Sequence, residues 1–477
     1  MHTNNKDLCF TKAPLAIIPR RKEIFFSCLR DTAIMAGPLI GSRVGGTITS
    51  FISMIMIARL GHTELAAGAL INSVLFSILV PLWMLFLAVG ILIGHSYGAN
   101  QPAEIGKVIR QGLLLSIIIG LPFMLLLYWL APILIFFGQD KQLSYLTQQF
   151  YRAYCLGLIP SFWYSCLIQF MLGISRQKLN LFFTFLIMPV MTFLGYTLIF
   201  GKFGFSAYRI SGMGYANSIS YVLIDAIIIG YLLLNKSFRK YNLLAWDLKN
   251  NFHYLKEILN IGWPITLMMA SELIIFSLSI IFIGWLGETS LAAQQISLQI
   301  NLVAFMIPMG IGQASTILIS QQLGRKNFHL VRPLGYTAML LTLIATIITL
   351  LIYLYMPKLL IGLYINTHAS FYAATINLAI MLLFVTGVMN IFDGIRCVAV
   401  SALRGLRDTI TPMLIFVVLG AVLTLPSGYI LAVTMHLGAV GYRYGFVIGF
   451  GIGAIILIHR FHKLSAINFI TSNNKGN

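Results

Sequence analysis

IARLGHTELAAGAL, residues 57–70, returns later in the chain as IGWLGETSLAAQQI, residues 283–296. Gly61 matches Gly287, and the same spacing carries Pro38 onto Pro264 and Gly98 onto Gly324. Three anchors in one register, spread over about 60 residues, point to a duplicated structural unit rather than to two segments that merely share a composition. A later match, FMLGISRQK with ALRGLRDT, pairs Gly173 with Gly405 at a slightly longer spacing and needs only a small insertion.

What is duplicated follows from composition. The chain has 477 residues, 58% of them hydrophobic and only 9% charged, with a mean hydropathy of +0.88; no soluble domain of this length has that balance. Apolar stretches of the roughly 20 residues that cross a bilayer can be laid down twelve times, the first at 32–58 and the last at 438–460, six in each copy. The expected fold is therefore an all-α polytopic membrane protein of twelve transmembrane helices in two parallel six-helix repeats. The expected order is a segment 1–30, an N-terminal half 31–234, a polar linker 235–253, a C-terminal half 254–462 and a tail 463–477. Six is even, so both copies enter from the same side, an arrangement suited to alternating access.

Lys and Arg outnumber Asp and Glu by 32 to 13. The basic residues gather in one alternating set of loops, among them KVIR (107–110), SRQK (175–178), SFRK (237–240), GRK (324–326) and RGLR (404–407). The positive-inside rule puts these, and both termini, in the cytoplasm. Dispersed over loops, the charge suits anionic membrane lipids, and no nucleic-acid partner is expected. The five cysteines show no CxxC spacing and read as reduced packing residues. No signal peptide is apparent at the N-terminus. The chain shows no phosphate-binding loop, zinc spacing or nucleophile elbow, so no catalytic residue, no cofactor and no direct drive by ATP are expected.

Against this apolar background the membrane-embedded acids are the informative residues, since a charged side chain at the centre of a membrane helix costs about 2.5–3.5 kcal/mol on insertion scales. Glu272 lies in ILNIGWPITLMMASELIIFSLSIIFIGWLG (258–287) with no basic residue three or four positions away. Asp393, in VMNIFDGIRCVAV, has Arg396 three residues on and Asn390 one turn before. These spacings make Glu272, Asp393 and Asn390 the candidate site for Na⁺ or H⁺, with an Asp393–Arg396 ion pair as the plainer alternative. Arg43 and Asp225 fall at similar depth in the N-terminal half and are expected to pair with each other. Gln294, Gln299, Met268, Met269, Met389, Phe392 and Arg396 are candidates for the wall of a substrate cavity, methionines because such surfaces re-pack around different ligands. Pro38 and Pro264 are hinge candidates.

The doubled LG(x)3LAA unit (60–67 and 286–293), GWP followed eight residues after its proline by Glu272, and FDGIRCVAVSALRGLRDT (392–409) together resemble the multidrug and toxic compound extrusion (MATE) family, NorM-like branch. The resemblance runs from about Arg30 to His462. It implies a V-shaped pair of six-helix lobes in the bacterial inner membrane, exporting small amphipathic, often cationic compounds in exchange for Na⁺ or H⁺. A monomer is expected. The same superfamily holds lipid-linked precursor flippases, the nearest alternative, for which Arg43, Arg152 and Arg396 are the relevant cations; a membrane enzyme or scaffold is the remote one. One departure stands out: where family members often carry an aspartate eight residues before the first LG glycine, this chain has Ser53, repeated as Ser279. The ion chemistry therefore falls to Glu272 and Asp393.

Overall fold

A bilayer offers no water to unpaired backbone groups, so apolar spans close their hydrogen bonds internally as helices. The computed structural model describes residues 21–243, 252–365 and 373–473, and twelve helices in it are long and apolar enough to cross a membrane. We number them α1 (Lys22–Ala58), α2 (His62–Gly98), α3 (Pro102–Tyr128), α4 (Lys141–Gly173), α5 (Gln177–Phe200), α6 (Arg209–Leu234), α7 (His253–Gly284), α8 (Glu288–Gly324), α9 (Phe328–Tyr355), α10 (Ala373–Gly405), α11 (Ile410–Thr434) and α12 (Gly438–Ala466). Cys9, the centre of the polar linker and the loop before α10 lie outside the described residues. The first span begins well before residue 32, so Pro38 sits inside α1 as Pro264 sits inside α7, rather than at a helix start.

The two halves repeat down to the backbone. Gly61 and Gly287, the glycines of the doubled motif, both precede the second helix of their half with φ of 141° and 106°, a region that only glycine enters freely. Asn100 and Lys326 share φ near +60°, and so do Ser175 and Arg407, although the side chains differ. Short helices Leu130–Phe136 and Pro357–Gly362 occupy the same place, before the fourth helix of each half. Two π-helical turns, Leu75–Leu79 in α2 and Gly420–Thr424 in α11, each end just ahead of a proline, Pro81 and Pro426, whose missing N–H leaves the ladder free to widen there.

Within the halves the closest pairings are α4 with α6 and α8 with α10. Between them, α1 and α2 pack on α7, α8 and α9. This contact lies toward the Lys/Arg-rich loops. α2 and α8 cross there with Gly98 against the Gln321 carbonyl and Gly324 against the His95 carbonyl, a contact that maps onto itself when the halves are exchanged. On the same side Gln321 Nε2 donates to Ser175 Oγ (2.8 Å) and to the Gly173 carbonyl (2.7 Å), Tyr254 to Glu104, and the Leu255 N–H to Gln111 Oε1 (2.7 Å), while Thr47 Oγ1 to the Met306 sulfur (3.8 Å) joins the halves further from these loops. Arg43 to Gln313 (3.1 Å) marks about mid-membrane. Past it, toward the opposite face, Phe51 of α1 and Val303 of α8 are exposed.

Candidate functional site

Asp393 and Arg396 stand one turn apart on the buried face of α10, each about 3% exposed. Arg396 donates from Nε to Asp393 Oδ1 at 2.8 Å, and its Nη2 lies 2.7 Å from the same oxygen. That Nη2 also donates to Glu272 Oε1, on α7, at 2.8 Å. The guanidinium carbon lies 4.7 Å from the Phe416 ring centre and 4.6 Å from that of Phe450. The planar cation lies between two ring faces and bonds two carboxylates through Nε and Nη2, contacts that desolvation strengthens, while its buried Nη1 has no partner among the described residues. A cavity of about 10 Å³, room for one water, adjoins Arg396 between α11 and α12 and is lined by Thr424 and Gly449 among others.

Glu272 therefore does have an ionic partner, and it comes from another helix. With both acids ionised the trio carries one net negative charge. Its remaining carboxylate oxygens are free to take a proton or a hard cation, and Asn390 Oδ1, buried and without a protein partner, is a further acceptor. The Asn390 amide itself donates to Asn301 Oδ1 at 2.5 Å. Among the described residues no three His, Cys, Asp or Glu side chains converge as a metal site.

Other expectations need correction. Arg43 and Asp225 do not pair: Arg43 reaches across to Gln313, while both oxygens of the buried Asp225 lack any partner. Similar depth in one bundle put both groups in the same layer but on helices that turn them apart. Met268 and Met389 are buried inside the C-terminal half, and Gln294 is bonded to Arg443 there at 3.2 Å, so these three do not line open space. Met269 and Phe392 are half-buried, and Gln299 is exposed on a different face of α8 from Gln294. Pro38 and Pro264 lie on α1 and α7, both helices of the contact between the halves. Arg443, fully buried in α12, escaped the sequence reading; an arginine alone in GAVGYRYGFVIGFG was the available signal.

Comparison with known proteins places this geometry. The MatE family model matches residues 38–197 and 264–430. "Probable multidrug resistance protein NorM" of Mesorhizobium japonicum is 29% identical over 92% of this chain and 94% of its own length. The protein of the same name from Bradyrhizobium diazoefficiens is 30% identical, covering 91% and 93%. Among solved structures, the outward-facing conformation of a multidrug resistance MATE family transporter of the MOP superfamily superposes with a TM-score of 0.84 at 18% identity, covering 92% of this chain and 96% of that one. The eukaryotic MATE transporter AtDTX14 gives 0.81 at 20% identity, covering 93% and 99%.

Proposed function

The chain belongs to the MatE family, and from that premise we propose that it is a secondary antiporter of the bacterial inner membrane, exporting lipophilic, mostly cationic compounds against inward Na⁺ or H⁺. The observation that carries this reading is the Glu272–Arg396–Asp393 trio, two acids and a guanidinium brought together from α7 and α10 among mostly apolar side chains. With both acids ionised its net charge is minus one, which suits binding of one monovalent cation. Ion binding favours the state that releases the exported compound, and binding of that compound excludes the ion. One cation moving inward through 100 mV releases about 2.3 kcal/mol, and a tenfold gradient adds about 1.4 kcal/mol. Together they sustain roughly several-hundredfold accumulation of a neutral substrate, whereas a monovalent cationic substrate exchanged one for one cancels the voltage term and leaves about tenfold.

The names of the relatives support efflux of drugs, and the Lys/Arg-rich loops support cytoplasmic termini. On that orientation the halves meet at the cytoplasmic side and part toward the outside. The flippase alternative needed converging arginines, but Arg152 stacks on Tyr128 at 4.8 Å, Arg43 bonds Gln313 and Arg396 is held by two acids. The test is ethidium efflux from proteoliposomes under imposed Na⁺ or H⁺ gradients. Efflux should follow one of the two gradients and be lost in Glu272→Gln and in Asp393→Asn. Gradient-driven efflux that survives in both variants would remove the trio from the coupling step.

A further inference from the structure

Arg443 is the largest fully buried side chain in the protein, 1% exposed, six residues into α12. A guanidinium does not shed its proton in proteins, and a buried ion without a counter-charge costs several kcal/mol. Among the described residues no carboxylate lies within 4 Å of it: Glu272 and Asp393 are shared by Arg396, Glu257 is paired with Arg407 and Asp408 with Arg460, and Glu288 begins α8 six residues before Gln294. Its contacts are neutral: Nε donates to Gln294 Oε1 of α8 at 3.2 Å, and Nη1 faces the Met389 sulfur of α10 at 3.6 Å. Nη2 has no partner. A second unsatisfied donor sits in the same layer. Tyr353 of α9 is 4% exposed, its ring packs on α10 at Gly387, two residues from Met389, and its hydroxyl has no partner.

We propose that Arg443 is the anchor of an anion site inside the C-terminal half, distinct from the Glu272–Arg396–Asp393 trio, taking a small monovalent anion: chloride, or the carboxylate of a transported molecule. An unpartnered guanidinium N–H and an unpartnered phenol O–H are two donors of the type that such an anion accepts. The anion supplies the counter-charge that the fold leaves out and ties α9 to α12. Arg443 is the sixth residue of α12 and Gln294 the seventh of α8, and the two helices enter from the same side, so the site is closest to the face opposite the Lys/Arg-rich loops. An occupied site removes a fixed positive charge that any cation crossing this half toward Asp393 would meet. Transport is thereby expected to respond to the anion as well as to the coupling ion.

The experiment is thermal unfolding of the purified protein in nanodiscs, titrated with sodium chloride or with sodium acetate against sodium methanesulfonate at constant ionic strength. For the wild type the midpoint should rise saturably with chloride, and the rise should vanish in Arg443→Gln. Tyr353→Phe, which keeps volume and loses one donor to a charge, should raise the half-saturating chloride concentration about tenfold. A response to acetate that competes with chloride identifies the carboxylate source; a response to chloride alone identifies the inorganic one. Should Arg443→Gln fail to fold, bromide-soaked crystals of the wild type decide through anomalous scattering. A peak at Arg443 Nη2 supports the site. A midpoint indifferent to chloride, a rise equal in wild type and Arg443→Gln, or bromide found only elsewhere overturns it.

Discussion

Arg396 does at one atom what the family resemblance assigns to a mobile cation, since its Nη2 bridges Glu272 and Asp393 within 2.8 Å of both. Removing that guanidinium leaves two acids facing each other without a counter-ion. Arg396→Gln is therefore expected to lower unfolding free energy by about 3–5 kcal/mol, and the further change Glu272→Gln should return a large part of it. Chemical unfolding of the three proteins checks this; a double variant no more stable than the single would show that the trio is not one electrostatic unit. Asp225 behaves differently. Its carboxyl is buried with no partner to lose, so Asp225→Asn should not destabilise the protein and is expected to raise its stability by removing an unpaired ionisable group. Combined with Arg43→Gln, it should show a coupling energy below about 0.5 kcal/mol in a double-mutant cycle.

At the scale of elements, the crossing of α2 and α8 depends on two residues without side chains. A methyl group at Gly98 would run into the Gln321 carbonyl, and one at Gly324 into that of His95. Backbone does not yield as a flexible side chain does, so Gly98→Ala and Gly324→Ala should each cost about 1–3 kcal/mol, by similar amounts because the contact is symmetric. Matched losses in thermal unfolding would confirm the symmetry; a loss at one position alone would refute it. The polar rungs between α8 and α10 follow the same logic of close approach. Ser297 meets Thr386 at 3.1 Å and Asn301 meets Asn390 one turn further on, so two parallel helices hold register without a salt bridge.

The whole molecule is two six-helix halves joined on one side of the membrane. Alternating access requires that contact to open. Ser175 and Gln321 bridge it directly, with Gln321 Nε2 2.8 Å from Ser175 Oγ. A short bifunctional methanethiosulfonate cross-linker joining Ser175→Cys to Gln321→Cys spans the gap that the glutamine side chain fills and is expected to stop efflux reversibly, with activity returning on reduction. Full efflux with the cross-link intact would show that the halves do not separate there during the cycle. Of the native cysteines, Cys28, Cys155 and Cys166 are buried and Cys397 is partly exposed, so the cross-link is made in a background with Cys9 and Cys397 replaced by serine.

By itself the sequence determined the twelve spans, the duplication and the placing of Glu272 and Asp393 within apolar helices, because length, hydropathy and repeat spacing are properties of the chain read along its axis. The Asp393–Arg396 pair belongs here too, since three residues on a helix are one turn. Only the tertiary structure decided which faces meet. It brought Glu272 of α7 onto Arg396, turned Arg43 and Asp225 apart despite their common depth, drew Met268 and Met389 into the interior and left Arg443 without an acid. The physical reason is that helical periodicity sets height and azimuth within one helix, whereas contact between helices depends on their rotation and crossing. Those are settled by packing, at places as small as the missing side chains of Gly98 and Gly324.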